Sequence, residues 1–237
     1  MVDHHYHLTN RNFEEDLNTL KENMDLYSID KVITLASYFP RKGSGLSNYR
    51  LFHGIQNIDN VYMLASLDFE YYFYQHLNEV EALLKEDKVL GIKIYTGYQN
   101  IKRDRLEKVL DLAKGKIVMF HTGFCHKQEQ ETFNPALLAN TIEKYPEITF
   151  VLSHLGNPHS IEMSYLINRY ENVYTDMSGL MDKEEDWERA KEAIDFIVKF
   201  GDRKKILFGS DFPVQTYENS FRLINEYMFI LENSVGV

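Results

Sequence analysis

The chain has 237 residues, 44% of them hydrophobic and 26% charged, enough to bury a sizeable core and to exclude a disordered or fibrous protein. Its 26 basic and 36 acidic residues leave a net charge of −10, which argues against a nucleic-acid partner held by an electropositive surface. No apolar run approaches the ~20 residues of a membrane span. The first residues hold histidines rather than an apolar signal core, and the lone Cys125 offers neither a disulfide nor a thiolate cluster, so a soluble cytoplasmic protein is expected.

Eight short runs rich in β-branched and aromatic residues read as strands, at residues 2–8, 31–36, 61–67, 89–95, 116–121, 148–154, 172–177 and 205–211. Between most of them, apolar residues recur at helical spacing. Phe13, Leu17, Leu20 and Met24 form the first such set, then Val80, Leu83 and Leu84, then Leu106, Val109, Leu110 and Ala113. Ile194, Ile197 and Val198 continue the pattern, and Phe221, Ile224 and Met228 are expected on a last helix that closes the chain. No linker, repeat or low-complexity tract divides residues 1–237, so one domain is expected. Strict alternation of strand and helix favours a single (β/α)8 barrel of the TIM type, a fold of ~250 residues. A doubly wound open sheet would want a glycine-rich turn after the first strand, and none is present. The connections 37–60 and 122–134 are long and leave strands at the end where barrel sites are built.

In Asp3-His4-His5-Tyr6-His7, strand alternation puts His5 and His7 on one face, about 7 Å apart along the backbone. Further strands run into ligand-capable residues: His121 after Ile117–Phe120, His154 after Thr149–Leu152, and Asp211 after the run from Ile206. Strand ends of a parallel barrel are neighbours at one mouth. Histidines with a carboxylate are ligand types for Zn²⁺, Mn²⁺, Fe²⁺ or Co²⁺. Lys93, in mid-strand among apolar neighbours, reads as a pocket cation that binds an anionic substrate or as a structural residue paired to a nearby acid. Arg41, Arg50 and Tyr95 are weaker substrate-binding candidates. The aromatic cluster at 69–74 is expected to pack a helix start or a subunit contact, which makes a homodimer conceivable without any motif for it.

These pieces resemble the amidohydrolase superfamily, and within it the amidohydrolase-related family that also contains metal-dependent decarboxylases. The resemblance rests on Asp3-His4-His5-Tyr6-His7, His121-Thr122-Gly123, Ser153-His154-Leu155-Gly156 and Gly209-Ser210-Asp211-Phe212-Pro213, in family order. It implies that His5, His7, His121 and Asp211 hold one or two divalent ions, zinc first. His154 would be a second-site ligand or a catalytic residue that polarises the substrate oxygen, and Lys93 a bridging ligand if carboxylated. Asp211 would accept the proton of the attacking water. The β-sandwich that many relatives carry is not expected. The implied activity is hydrolysis of an amide, ester or lactone of a small anionic substrate. The rivals are non-oxidative decarboxylation of an unsaturated or aromatic acid, and a non-catalytic barrel that serves as a binding protein.

Overall fold

The eight apolar runs become eight parallel strands: β1 (Val2–Tyr6), β2 (Lys31–Leu35), β3 (Val61–Ser66), β4 (Val89–Ile94), β5 (Ile117–Phe120), β6 (Thr149–Leu152), β7 (Val173–Asp176) and β8 (Ile206–Leu207). They pair in chain order within one sheet. The structure is a computed structural model describing residues 1–9, 12–37, 46–123, 132–181, 183 and 186–236. Among the described residues eight α-helices cover the outside: α1 (Phe13–Leu26), α2 (Asn48–Ile55), α3 (Phe73–Leu83), α4 (Arg103–Leu112), α5 (Ala139–Lys144), α6 (Ser160–Arg169), α7 (Trp187–Phe200) and α8 (Tyr217–Ile224). No helix among the described residues is long and apolar enough to cross a membrane.

Alternation along the strands sorts the core into two layers. Ile33, Leu35, Leu64, Met119, Val151 and Leu207 fill the barrel, while Val32, Ile92, Ile94, Phe120, Phe150 and Leu152 face the helices. The helices lay their periodic apolar residues on that outer layer: Phe13, Leu17 and Leu20 from α1, Val109 and Leu110 from α4, and Ala190, Ile194 and Ile197 from α7. Three acidic residues in the first turn of α1 complement its dipole. Phe69 and Phe73 pack the start of α3 as expected, whereas Tyr71, Tyr72 and Tyr74 stay exposed.

The end of the chain differs from its reading. α8 stops at Ile224, and Met228 opens a separate 3₁₀ turn with its side chain 54% exposed, so the apolar spacing does not continue across the break. The residues beyond turn back under the barrel, where Val235 packs on the interior cluster and its N–H donates to His4 Nε2.

Each strand ends earlier than its apolar run, for a local reason in two cases. β6 stops at Leu152 because His154 and Leu155 adopt φ of 62° and 51°, left-handed values uncommon for side-chain-bearing residues. β8 is only two residues long because the backbone after Leu207 turns through Gly209 to Asp211, at φ 58°. The β8–β1 seam is closed by three backbone hydrogen bonds, His4 N–H to Phe208 O, Asp211 N–H to His5 O and His7 N–H to Phe212 O.

A bulge in β1 completes the closure. Asp3 pairs with Val32 and Tyr6 with Thr34, so three steps on β1 answer two on β2. The extra residue changes phase: Asp3 and Tyr6 both meet Tyr217 of α8 outside the barrel, while His4 and His5 both lie on the inner side. The buried Asp3 carboxylate accepts the His5 and Ser210 N–H groups at 3.0 Å, the Ser210 hydroxyl at 2.6 Å and the Tyr217 hydroxyl at 2.5 Å. It therefore ties β1, the β8 loop and α8 together. Asp3→Ala strands four donors, at about 1–3 kcal/mol each before water enters, so a loss of about 3–5 kcal/mol in urea unfolding is expected. A loss below about 1 kcal/mol would mean that the carboxylate does not hold the seam.

Candidate active site

His5 and His7 rise from β1 beside the turn that carries Asp211. His5 Nε2 lies 3.3 Å and His7 Nε2 3.2 Å from the same oxygen, Asp211 Oδ1. The two rings stand edge to face, 5.2 Å between centroids. On the far side of His5, Nδ1 is 3.1 Å from Asp176 Oδ2, at the end of β7. A carboxylate there keeps the proton on Nδ1 and turns the Nε2 lone pair toward Asp211. A lone pair and a carboxylate oxygen at 3.3 Å repel unless a positive charge sits between or on them. The donor set thus fits a divalent cation of zinc type, held by two imidazoles and a carboxylate.

A second geometric group, His5, His154 and Asp176, has a different character. Ser178 Oγ sits among its atoms, 2.9 Å from His5 Nδ1 and 3.0 Å from His154 Nδ1, and donates to Asp176 Oδ1. Asp176 Oδ1 also accepts the backbone N–H groups of His154 and Ser178. This cluster is already satisfied by hydrogen bonds and serves as the support behind His5. Gly179, at φ 60°, passes so close that a Cβ would press on Asp211 Oδ2 and His154 Nδ1.

His154 Nδ1 is 2.9 Å from the Ser178 carbonyl, which only accepts, so the ring donates there. Its Nε2 then accepts from His121 Nδ1 at 3.0 Å. A neutral His154 thus has both ring nitrogens engaged, at the Ser178 carbonyl and at His121. The Tyr98 ring packs against His121, 5.1 Å between centroids.

Lys93 is fully buried on β4, and its Nζ donates to Ser153 Oγ at 2.9 Å and lies 5.5 Å from the Tyr95 ring centre. Burial pushes it down to about 8, against the pull of Asp176 and Asp211. Tyr95 is buried with its hydroxyl donating to Ala36 O at 2.9 Å, which ties β4 to β2. Arg50 lies on the exposed face of α2, its guanidinium 5.2 Å from the Phe13 ring centre. Arg41 falls outside the described residues. Two cavities of about 230 and 290 Å³ open in the outer layer around Leu106, Leu137 and Thr141, and neither is lined by the histidines.

Burial dominates the titration of two inner rings, His154 and His4, whereas Asp176 and Asp211 raise His5 against its burial. His154 is driven down to about 4, and so is His4, whose Nδ1 donates to Phe208 O at 3.0 Å. Asp211 and Asp176 are held well below the ordinary carboxylate range: burial works against ionisation, and His5 together with the other neighbouring donors and positive charges outweighs it. In the unfolded chain a histidine protonates near 6.5, while these two rings resist until about pH 4. The unfolded state therefore binds protons first, and stability falls as pH drops from about 6.5 to about 4, by up to ~3 kcal/mol per ring. Urea midpoints at pH 7 and pH 5 measure this; a midpoint that does not move would overturn the buried neutral assignment.

Residues 70–231 match the sequence profile of the amidohydrolase family, well over half of the chain. The chain belongs to the amidohydrolase family. The match begins after β3, so His5 and His7 lie outside it and are placed beside Asp211 by the fold. A solved amidohydrolase from Burkholderia multivorans with bound zinc superposes at a TM-score of 0.71, with 15% identity over 99% of this chain and 93% of that one. A probable 2-pyrone-4,6-dicarboxylic acid hydrolase from Acinetobacter baumannii, with citric acid bound, gives 0.69 and 16% over 96% and 92%. A 2,6-dihydroxybenzoate decarboxylase from Rhizobium gives 0.63 and 15% over 94% and 91%. At these identities the likeness is one of fold. Among curated proteins, Protein fluG of Emericella nidulans is 48% identical over 44 residues, 19% of this chain and 5% of that protein.

Asp176 and Ser178 escape a search for histidine motifs. Asp176 carried a readable signal, since it ends the run Val173-Tyr174-Thr175 as Asp211 ends the run from Ile206. Ser178 carried none, because a serine beyond a strand end is ordinary.

Proposed function

We propose that the protein is a metal-dependent hydrolase that directs water against an amide, ester or lactone bond of a small anionic substrate, in a reducing cytoplasmic setting that suits its single cysteine. The observation that carries this reading is the convergence of His5 Nε2 and His7 Nε2 on Asp211 Oδ1, with Asp176 behind His5. His5, His7 and Asp211 would hold the ion, zinc in the first instance, with His121, steadied by its bond to His154, as the further ligand. A divalent ion bound by such a set lowers the pKa of water toward about 7 and polarises a carbonyl oxygen. Asp211 stays ionised through the neutral range and accepts the proton of the attacking water, then returns it to the leaving group. Asp176 keeps His5 in the ligand tautomer. Lys93 acts as an ammonium facing the substrate's negative charge, with its Nζ donating to Ser153 Oγ.

A chelator is expected to abolish turnover of a panel of carboxylated esters, lactones and amides, and zinc to restore it, with about one ion per chain in the protein as purified. Release of CO₂ without a cleaved ester, lactone or amide bond would replace this reading with decarboxylation, a reaction known for one structural neighbour. Turnover that survives complete removal of metal would sink it.

A further inference from the structure

Across the barrel from β1 and β8, three inward side chains hold more hydrogen-bond donors than their one mutual bond uses. Leu64 belongs to the interior cluster, so Ser66, two residues along β3, shares its face. Ile92 and Ile94 belong to the outer cluster, so Lys93 between them points inward, and Ser66 is its register partner on β3. Val151 is interior, so Ser153, two residues along the same backbone, faces in as well. Ser66 Oγ is buried and has no hydrogen-bond partner among the described residues. Lys93 Nζ gives one N–H to Ser153 Oγ and makes no ion pair with a described carboxylate.

We infer that Lys93, Ser66 and Ser153 form an anion-binding subsite inside the barrel that receives a carboxylate of the substrate. Asp176 and Asp211 attract the ammonium without being in ion-pair contact with it, and a buried cation with no anion in contact is costly, as is an unpaired buried hydroxyl. One guest anion relieves both. Two Lys93 N–H groups and the hydroxyls of Ser66 and Ser153 match the acceptor sites of a carboxylate. A single fixed positive charge balances a monoanionic group and leaves a phosphate dianion half neutralised. The subsite deepens the proposed function and rests on it in one respect, that the strand-end histidines and Asp211 are where the bond is cut. The substrate class is then a carboxylic acid whose charged end is held on the β3, β4 and β6 side while the labile bond meets the β1 and β8 side.

The test titrates monocarboxylates from acetate to benzoate, with their primary amides as controls, into the full chain in zinc-loaded and chelator-treated form, read by calorimetry. The acids are expected to bind both forms alike and the amides neither. Lys93→Met should weaken the acids tenfold or more. Ser66→Ala should weaken them about three- to tenfold while the melting temperature stays unchanged, which keeps the test valid if Lys93→Met does not fold. Binding that disappears with the metal would put the anion on the ion instead and overturn the subsite, as would binding indifferent to both substitutions or no binding at all. Carboxylate binding of the expected kind in a protein without hydrolase turnover would leave the subsite standing and remove the hydrolase reading.

Discussion

Asp211→Asn is expected to cost the protein its bound ion and to lower turnover by about 10³-fold or more. The substitution keeps the shape of the side chain and removes the charge that gathers His5 Nε2 and His7 Nε2 at 3.3 and 3.2 Å. It also removes the group proposed to take up the water's proton, so metal content and rate should fall together. The left-handed backbone at residue 211 is tolerated by asparagine as readily as by aspartate, which keeps misfolding out of the result. Metal analysis after gel filtration, beside rates on the ester and lactone panel, reads both effects. A variant that retains a full equivalent of ion and most of its rate would show that Asp211 neither ligates nor accepts protons.

Asp176→Asn should act without touching the ion at all. An amide nitrogen in place of Oδ2 cannot accept the His5 Nδ1–H at 3.1 Å, so the imidazole turns to the other tautomer and carries its proton on Nε2. The nitrogen that faces Asp211 is then a donor, and the ligand lone pair is lost. A fall in metal affinity of about 10–100-fold is expected, with the fold retained, because the amide oxygen still accepts from the His154 and Ser178 N–H groups. Asp176→Ala removes those acceptors as well and should lower the melting temperature in addition. Competitive titration against a chromophoric chelator separates the cases. Wild-type affinity in the asparagine variant would mean that the tautomer of His5 is set by something other than Asp176.

The strands and the outer helices were legible because each buries a periodic pattern. A run such as 89–95 has no way to hide Ile92 and Ile94 except against a helix layer, and Phe13, Leu17 and Leu20 have no way to share a face except in a helix. His5, His7 and Asp211 were legible because a parallel barrel brings strand ends together whatever their distance in sequence. What could not be read depends on backbone departures. Nothing in Asp3-His4-His5-Tyr6 announces a bulge, yet the bulge sends Asp3 outward to Tyr217 and His4 inward beneath His5. The role of His154 likewise depends on the Ser178 carbonyl, a backbone atom with no sequence signature. Met228 shows the converse error, a helical spacing continued past a break that the local backbone imposes.

The division of the ligands between β1 and β8 has a consequence for how the protein is made. His5 leaves the ribosome before Asp211, so under the proposed function the ion would find its full set of ligands only once the turn after β8 has been made. Ion capture and barrel closure would then be one event, and the metal would add its binding free energy to the least laddered joint of the cylinder.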